Sequence, residues 1–232
     1  MLPEPLETQF TTYFASGTTQ QDRPSVLYLL RRDACQCFGF DPNSYDVSHN
    51  PPINPHYSKV LWPGVMTIFS GLDLLAKYFA GSEEDNFPAG TQQTDQWRHK
   101  SGPRLKRFLE KYLTNNNAAE AEILYQLRCA LDHSFALWAR DRNGSVYGFV
   151  LSPPDPLHAG ELLRQRVGAT NGDTDSIIYI YELHKKFQEA INAFMLDYRT
   201  QLESNVQDQT TFSRLLDHYG FIGIAKASAF NW

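Results

Sequence analysis

The sequence predicts a mainly helical fold of the α+β class, with about four core helices and a small antiparallel β-sheet. Three observations support this prediction. Apolar residues recur every three or four positions along several long segments, which is the period of a helix with one buried face. Asn143-Gly144 separates two short alternating segments, a strong β-hairpin signal. Residues 177–181 (IIYIY) are rich in β-formers and predict a third strand.

The composition is that of a globular protein rather than a disordered one. Hydrophobic residues make up 42% of the 232 residues and charged residues 20%, so the chain has enough apolar surface to form a core. The net charge of −5 excludes binding of nucleic acid through overall charge. Any nucleic-acid contact must therefore come from a local basic patch.

The sequence predicts little regular structure in the first part of the chain. Residues 1–57 are interpreted as an N-terminal arm and an irregular segment, because residues 41–56 contain four prolines. Residues 1–23 are polar and predict a loosely docked arm. Its candidate anchors are Phe10, Tyr13 and Phe14. Residues 26–30 (VLYLL) form a short apolar run that fits a strand or a helical turn equally well.

Three helices are predicted before the hairpin. Apolar spacing places the first over about 58–80, with Gly81 as its C-cap. Pro103 fits the first turn of the second, since a missing N–H does no harm there. Asn117 caps the third helix, residues 117–138, around which we expect the rest of the chain to pack. A short connection predicts that the second and third helices lie side by side.

Helical spacing returns after the hairpin. It continues from Glu182 for about six turns, and a final short helix is predicted near 210–219. Because no linker divides the chain, we predict a single domain over 1–232. This domain consists of a helical core (58–204), a hairpin insertion (near 135–151), the N-terminal segment (1–57) and a C-terminal short helix and tail (205–232).

The helix at 117–138 carries the two residues most suited to chemistry, Arg128 and His133. Five steps along a straight helix place them roughly 140° apart. They can therefore act on one substrate only if the helix bends or a second subunit completes the site. The alternative is structural, because Arg128 and Asp132 stand four residues apart and can pair on the surface. His133 then lies at the edge of the core.

Four segments of the chain resemble the HEPN superfamily of bacterial helical domains. They are SGLDLLAKYFAG, RFLEKYL, LYQLRCALDHSFAL and ELHKKFQEAINAF. The resemblance covers about residues 60–204 and includes an Arg-x4-His motif at Arg128 and His133. It implies a core of about four helices, with the hairpin as an insertion.

The resemblance also implies an activity, that of a metal-independent endoribonuclease of the toxin or phage-defence type. Such a protein acts as a homodimer without a cofactor, and a cognate antitoxin is a further implied partner. His133 would be the general acid or base on the RNA 2′-hydroxyl or the leaving oxygen. Arg128 would stabilise the phosphate charge that develops in the transition state.

The sequence departs from the active members of the family at one position. They usually place Asn or Asp directly after the motif Arg, and Cys129 stands here instead. Cysteine is a weak hydrogen-bonding group. The alternative is therefore a non-catalytic binding or scaffold module for a nucleotide, RNA or a protein.

Basic residues concentrate just before the motif helix. The fourteen residues 98–111 contain six of the 21 Lys and Arg residues and one acid, Glu110. We predict a phosphate- or RNA-binding patch formed by Arg98, Lys100, Arg104, Lys106 and Arg107. The alternative is a solvated helix face.

The three cysteines predict neither a disulfide nor a metal site. Cys35 and Cys37 are too close in sequence for an easy disulfide, and a reduced, cytoplasmic protein is expected. Zinc would need further ligands such as His49 and His56, but no second paired motif supports them. No signal peptide and no membrane span are expected.

Overall fold

The computed structural model describes residues 1–14, 19–20, 23–40, 61–82, 90–134, 136–152, 156–166 and 174–221. Within them the protein is mainly helical with a small four-stranded sheet, which confirms the predicted fold class. The helices are α1 (Glu4–Phe14), α2 (Val26–Phe38), α3 (Leu61–Ala80), α4 (Ser101–Tyr112), α5 (Ala118–Ser134), α6 (Ile180–Ser204) and α7 (Val206–Tyr219). Short 3-10 segments lie at Gln93–His99 and Pro156–His158.

Local sequence signals define several helix ends where they were predicted. α3 ends directly before Gly81, whose φ of 66° is the left-handed conformation that favours glycine. The Asn117 Oδ1 accepts hydrogen bonds of 3.2 Å from the N–H groups of Ala119 and Glu120, and so caps α5. Pro103 lies in the first turn of α4, as expected.

The helices pack around α3 and not around α5, which corrects the expectation from sequence. α3 contacts α2, α4, α5, α6 and α7. It buries residues on every turn, and two glycines allow close approach of its neighbours. Gly64 lies against Phe38 of α2, and Gly71 lies against Phe187 of α6. The motif helix is also shorter than predicted, because it ends at Ser134.

The sheet contains the predicted hairpin but is not wholly antiparallel. Its strands are β3 (Trp138–Arg140), β4 (Val146–Ser152), β5 (Leu163–Gln165) and β6 (Thr174–Tyr179), in the spatial order β3-β4-β6-β5. A separate antiparallel pair, β1 (Thr19–Gln20) and β2 (Arg23–Pro24), precedes α2. β3 and β4 pair antiparallel, whereas β6 runs parallel to β4. Residues 153–173 provide the long connection that parallel pairing requires, and β5 within it pairs antiparallel with β6.

The prediction of a loosely docked arm is wrong for residues 4–14. They form α1, which buries Leu6, Phe10, Tyr13 and Phe14. These residues are separated by four, three and one positions, which is a helical spacing. The polar residues between them made the pattern difficult to recognise in the sequence. The VLYLL run is helical, because Ser25 Oγ accepts a hydrogen bond from the Tyr28 N–H and caps α2. The predicted irregular connection at 41–56 lies outside the described residues.

Candidate functional site

Arg128 binds two carboxylates where α5 packs on α3. Its Nε and Nη2 donate to Asp73 Oδ2 at 3.1 and 2.7 Å, and its Nε lies 3.1 Å from Asp132 Oδ2. Asp132 is the partner predicted by the spacing of four residues, whereas Asp73 belongs to α3. Partial burial raises the pKa of the Asp73 carboxyl, and Arg128 opposes that shift.

His133 lies in the last turn of α5, and its side chain is outside the described part of the structure. α5 is a continuous helix, so Arg128 and His133 occupy different faces of one chain, as their spacing predicts. Glu122, Gln126, Cys129 and His133 are spaced by four, three and four residues. They therefore share one face of α5.

A groove of about 780 Å³ runs along this face of α5. Glu122, Tyr125, Gln126 and Cys129 of α5 line one side. The other sides are the amino end of α4, residues 100–103 and Lys106, and the hairpin turn at 140–143. The residue that follows the motif Arg thus faces the groove, while Arg128 itself contacts α3.

Four cations and two carboxylates line the groove. The cations are Lys100, Lys106, Arg140 and Arg142, and the carboxylates are Glu122 and Asp141. Both carboxylates have partners within the protein. Glu122 lies 2.6 Å from Lys106 Nζ, and Asp141 Oδ1 accepts hydrogen bonds from N–H groups of the hairpin turn. Arg140 and Arg142 are exposed and form no ion pair in the described part of the chain. The groove therefore presents positive charge.

The amino end of α4 adds to this potential. Lys100 stands at the cap position, and no side chain within the described residues caps the first turn. Ser101 and Gly102 line the groove, so the positive end of the helix dipole lies at its wall. Tyr125 packs against Gly102, where a Cβ would lie 2.6 Å from the tyrosine hydroxyl. Burial and a hydrogen bond with Cys129 raise the pKa of Tyr125 to about 12.

The structure divides the predicted basic patch into two groups. Lys100 and Lys106 line the groove, whereas Arg98, Arg104 and Arg107 do not. Arg104 is 3% exposed, and its Nη1 donates to the backbone oxygens of Ser82 and Arg98. The guanidinium groups of Arg98 and Arg107 lie 5.0 and 4.6 Å from the ring centre of Trp97.

Sequence reasoning missed Arg140 and Arg142 as site residues. The basic character of the turn sequence ARDRNG is visible in the chain. What places it opposite α4 is the packing of β3 and β4 against α5, which no local pattern indicates. A hairpin with basic residues at its turn, directly after a motif helix, was the available signal.

The other candidate features do not form a second site of this kind. Cys35 is buried in the core, where its Sγ lies 3.4 Å from His184 Nε2, and Cys37 is partly exposed. In the described ranges, no group of three or more His, Cys, Asp and Glu residues is arranged to hold a metal. His49 and His56 fall outside those ranges. None of the helices in the described part combines the length and apolar character needed to cross a bilayer.

Comparisons of the chain with protein-family models, with curated proteins and with solved structures find no match. Function is therefore inferred from the geometry and charge of the groove and of the residues around it.

Proposed function

We propose that this protein is a HEPN-like RNA-binding module, and that its groove between α4, α5 and the β3–β4 turn holds the phosphate chain. One observation carries the proposal. The hairpin brings Arg140 and Arg142 to the same groove as Lys100, Lys106 and the amino end of α4. Cations on both sides of an open groove suit an extended polyanion, and Arg140 and Arg142, which form no ion pair within the described residues, can each neutralise a phosphate.

The charge distribution accommodates RNA binding by an acidic protein. The net charge is −5, so long-range attraction of nucleic acid is weak. Contacts must then be short-range and local, and arginine suits them because its forked donors match phosphate oxygens. Arg140 ends β3 and Arg142 lies in the turn that follows, and both side chains are exposed and can reach a ligand.

The contacts of Arg128 favour binding over catalysis. Its guanidinium already binds the carboxylates of Asp73 and Asp132. To stabilise a pentacoordinate phosphate it would have to leave both partners, and breaking such charged hydrogen bonds costs about 1.5–3 kcal/mol each. In this proposal Arg128 holds α5 on α3 and thereby positions the groove face of the motif helix.

A second candidate function, a metal-independent endoribonuclease, is favoured by the register of α5. The position of His133 shares a helix face with Cys129, which lines the groove. RNA in the groove would then pass along the face that bears the general acid or base. A homodimer would complete the site, with the toxin or phage-defence role and the cognate antitoxin as its biological setting.

One experiment separates the two candidates. A fluorescein-labelled oligouridylate is incubated in EDTA with the parent protein and with His133→Ala, and both fluorescence anisotropy and gel mobility are followed. Binding without cleavage by either protein supports the binding module. Cleavage by the parent that His133→Ala loses supports the endoribonuclease. If neither protein binds or cleaves the RNA, both proposals are wrong.

A further inference from the structure

Trp138 is an exposed aromatic residue at the edge of the sheet. Its exposed fraction is 58%, and within the described residues it is the only aromatic among the exposed large hydrophobic side chains. Ala139, the next residue of β3, packs against the core, so Trp138 lies on the opposite, outer face of the sheet. An indole ring in water is a large apolar surface that a ligand can cover.

The Asp175 side chain, and not the indole, covers the strand beside Trp138. The residue directly opposite on β4 is Gly148, which has no side chain, and Asp175 of β6 stands opposite Gly148. The atoms found within 4 Å of the Cβ position of Gly148 all belong to the Asp175 side chain. The indole therefore does not fold over the neighbouring strand at this point.

Trp138 lies two residues before Arg140, a groove residue, on the outer face of β3. Trp138 and Arg140 alternate with the inward-facing Ala139, so their side chains lie on the same face, about 6.6 Å apart along the strand. Arg140 lines the groove, and Trp138 comes directly before it on this face. An aromatic ring beside a cation that faces a phosphate-binding groove is the arrangement by which proteins hold unpaired bases.

We infer that Trp138 stacks on an unpaired base of the RNA whose phosphates lie in the groove, which makes single-stranded RNA the ligand class. This inference rests on the proposed RNA binding. In a duplex the flat faces of the bases are covered by their neighbours, and only a strand with unpaired bases can present one to the indole. The arginines then supply affinity for any phosphate chain, and Trp138 supplies the preference for single strands.

Self-association of the sheet is the competing explanation for the exposed indole, and two observations disfavour it. β3 has only three residues, too few for a stable edge-to-edge pairing with a second copy. On the same face, Val150 is 42% exposed, but Asp175 and Arg140 lie beside this patch and interrupt its apolar surface. Charges of both signs around a single aromatic ring fit a polar ligand better than an apolar interface.

The test compares the binding of two RNA probes to the 232-residue chain. The affinity for a labelled oligouridylate, alone or annealed to oligoadenylate, is measured by anisotropy for the parent, Trp138→Ala, Trp138→Phe and the same-face control Val150→Ala. We expect Trp138→Ala to bind the single strand about 5- to 150-fold more weakly, with little change for the duplex. Trp138→Phe should retain most of the affinity, since it keeps a stacking ring.

Each outcome has a separate meaning. If the parent binds no RNA, both the proposed function and this inference are wrong. If the parent binds but Trp138→Ala and the parent have equal affinity for the single strand, only the stacking inference is overturned. It is also overturned if light scattering shows that Trp138→Ala converts a dimer to a monomer, because the indole then belongs to a subunit interface.

Discussion

Arg128 of α5 donates two hydrogen bonds to a single carboxylate oxygen of Asp73 on α3, at 3.1 and 2.7 Å. These bonds join the motif helix to the helix at the centre of the fold. The side chains are 20% and 24% exposed, so the pair is only partly screened by solvent. In this geometry the guanidinium stabilises the position of α5.

The Arg128–Asp73 pair is predicted to contribute measurably to stability. Arg128→Gln and Asp73→Asn should each lower the free energy of unfolding by about 1–3 kcal/mol, because each leaves a charged partner partly buried. The double variant should lose less than the sum of the two, with a coupling energy of at least about 0.5 kcal/mol. Urea denaturation of the four proteins gives this coupling, and a value of zero would mean that the pair does not act as one unit.

A second prediction concerns pH and the buried His184. Arg31 Nε donates to Gln188 Oε1 at 2.8 Å, so the amide nitrogen of Gln188 faces His184 Nε2 at 3.3 Å and favours a neutral ring. Burial, with a smaller effect of Arg31, lowers the pKa of His184 to about 3. The unfolded chain binds this proton near pH 6.5. Stability from His184 is therefore complete above about pH 6.5 and decreases as the pH falls toward 3.

This effect has a defined slope. As the pH falls, one proton bound only by the unfolded state lowers the free energy of unfolding by up to about 1.4 kcal/mol for each pH unit. Urea denaturation from pH 7.5 to 4.5 gives the slope of the free energy of unfolding against pH. This slope should be smaller for His184→Gln than for the parent, by the equivalent of up to one proton. Replacement of the exposed His218 by Gln is the control. Identical slopes for the parent and His184→Gln would contradict the assignment.

Close packing of α3 on α6 gives a third prediction. A Cβ at Gly71 would lie 2.6 Å from the ring of Phe187, which is fully buried. Gly71→Ala should therefore destabilise the protein by about 1–3 kcal/mol, although alanine favours a helix. Ser70→Ala, at the exposed neighbouring position, should leave the melting temperature nearly unchanged. Equal melting temperatures for the two variants would show that the helices can separate freely.

Arg104 provides a fourth prediction, which separates structural from ligand-binding basic residues. Its buried Nη1 bonds to Ser82 O at 3.1 Å and to Arg98 O at 3.3 Å. Arg104→Gln should lower the free energy of unfolding by about 1–3 kcal/mol, because two carbonyl acceptors lose a charged donor. At a temperature where it remains folded, the variant should bind RNA as the parent does. Weaker RNA binding by the folded variant would show that Arg104 contacts the ligand.

Features fixed by short-range chemistry were predictable from the sequence. Asn117 and Gly81 mark helix ends because a side-chain acceptor and a left-handed backbone act within a few residues. The turn at 141–144 was equally visible, since Asn-Gly favours positive φ. The helical fold class follows from periodicity over long segments.

Features that depend on distant parts of the chain were not predictable. Asp73 stands 55 residues before Arg128, and no spacing rule connects them. The parallel pairing of β6 with β4 depends on the path of a long connection. The groove itself arises from the hairpin, α4 and α5 together, so its arginines could be recognised only after these elements had been placed.

The salt dependence of RNA binding tests the central claim most directly. Affinity for the labelled oligouridylate is measured between about 50 and 200 mM salt for the parent, for the double variant Arg140→Gln/Arg142→Gln, and for Arg214→Gln. Arg214 is an exposed arginine of α7 outside the groove, and its replacement by Gln removes one positive charge. If the groove holds the phosphates, the double variant binds more weakly and its slope of log K against log salt falls by about 0.7 for each lost contact. An unchanged affinity and slope in the double variant, matching Arg214→Gln, would contradict RNA binding in the groove.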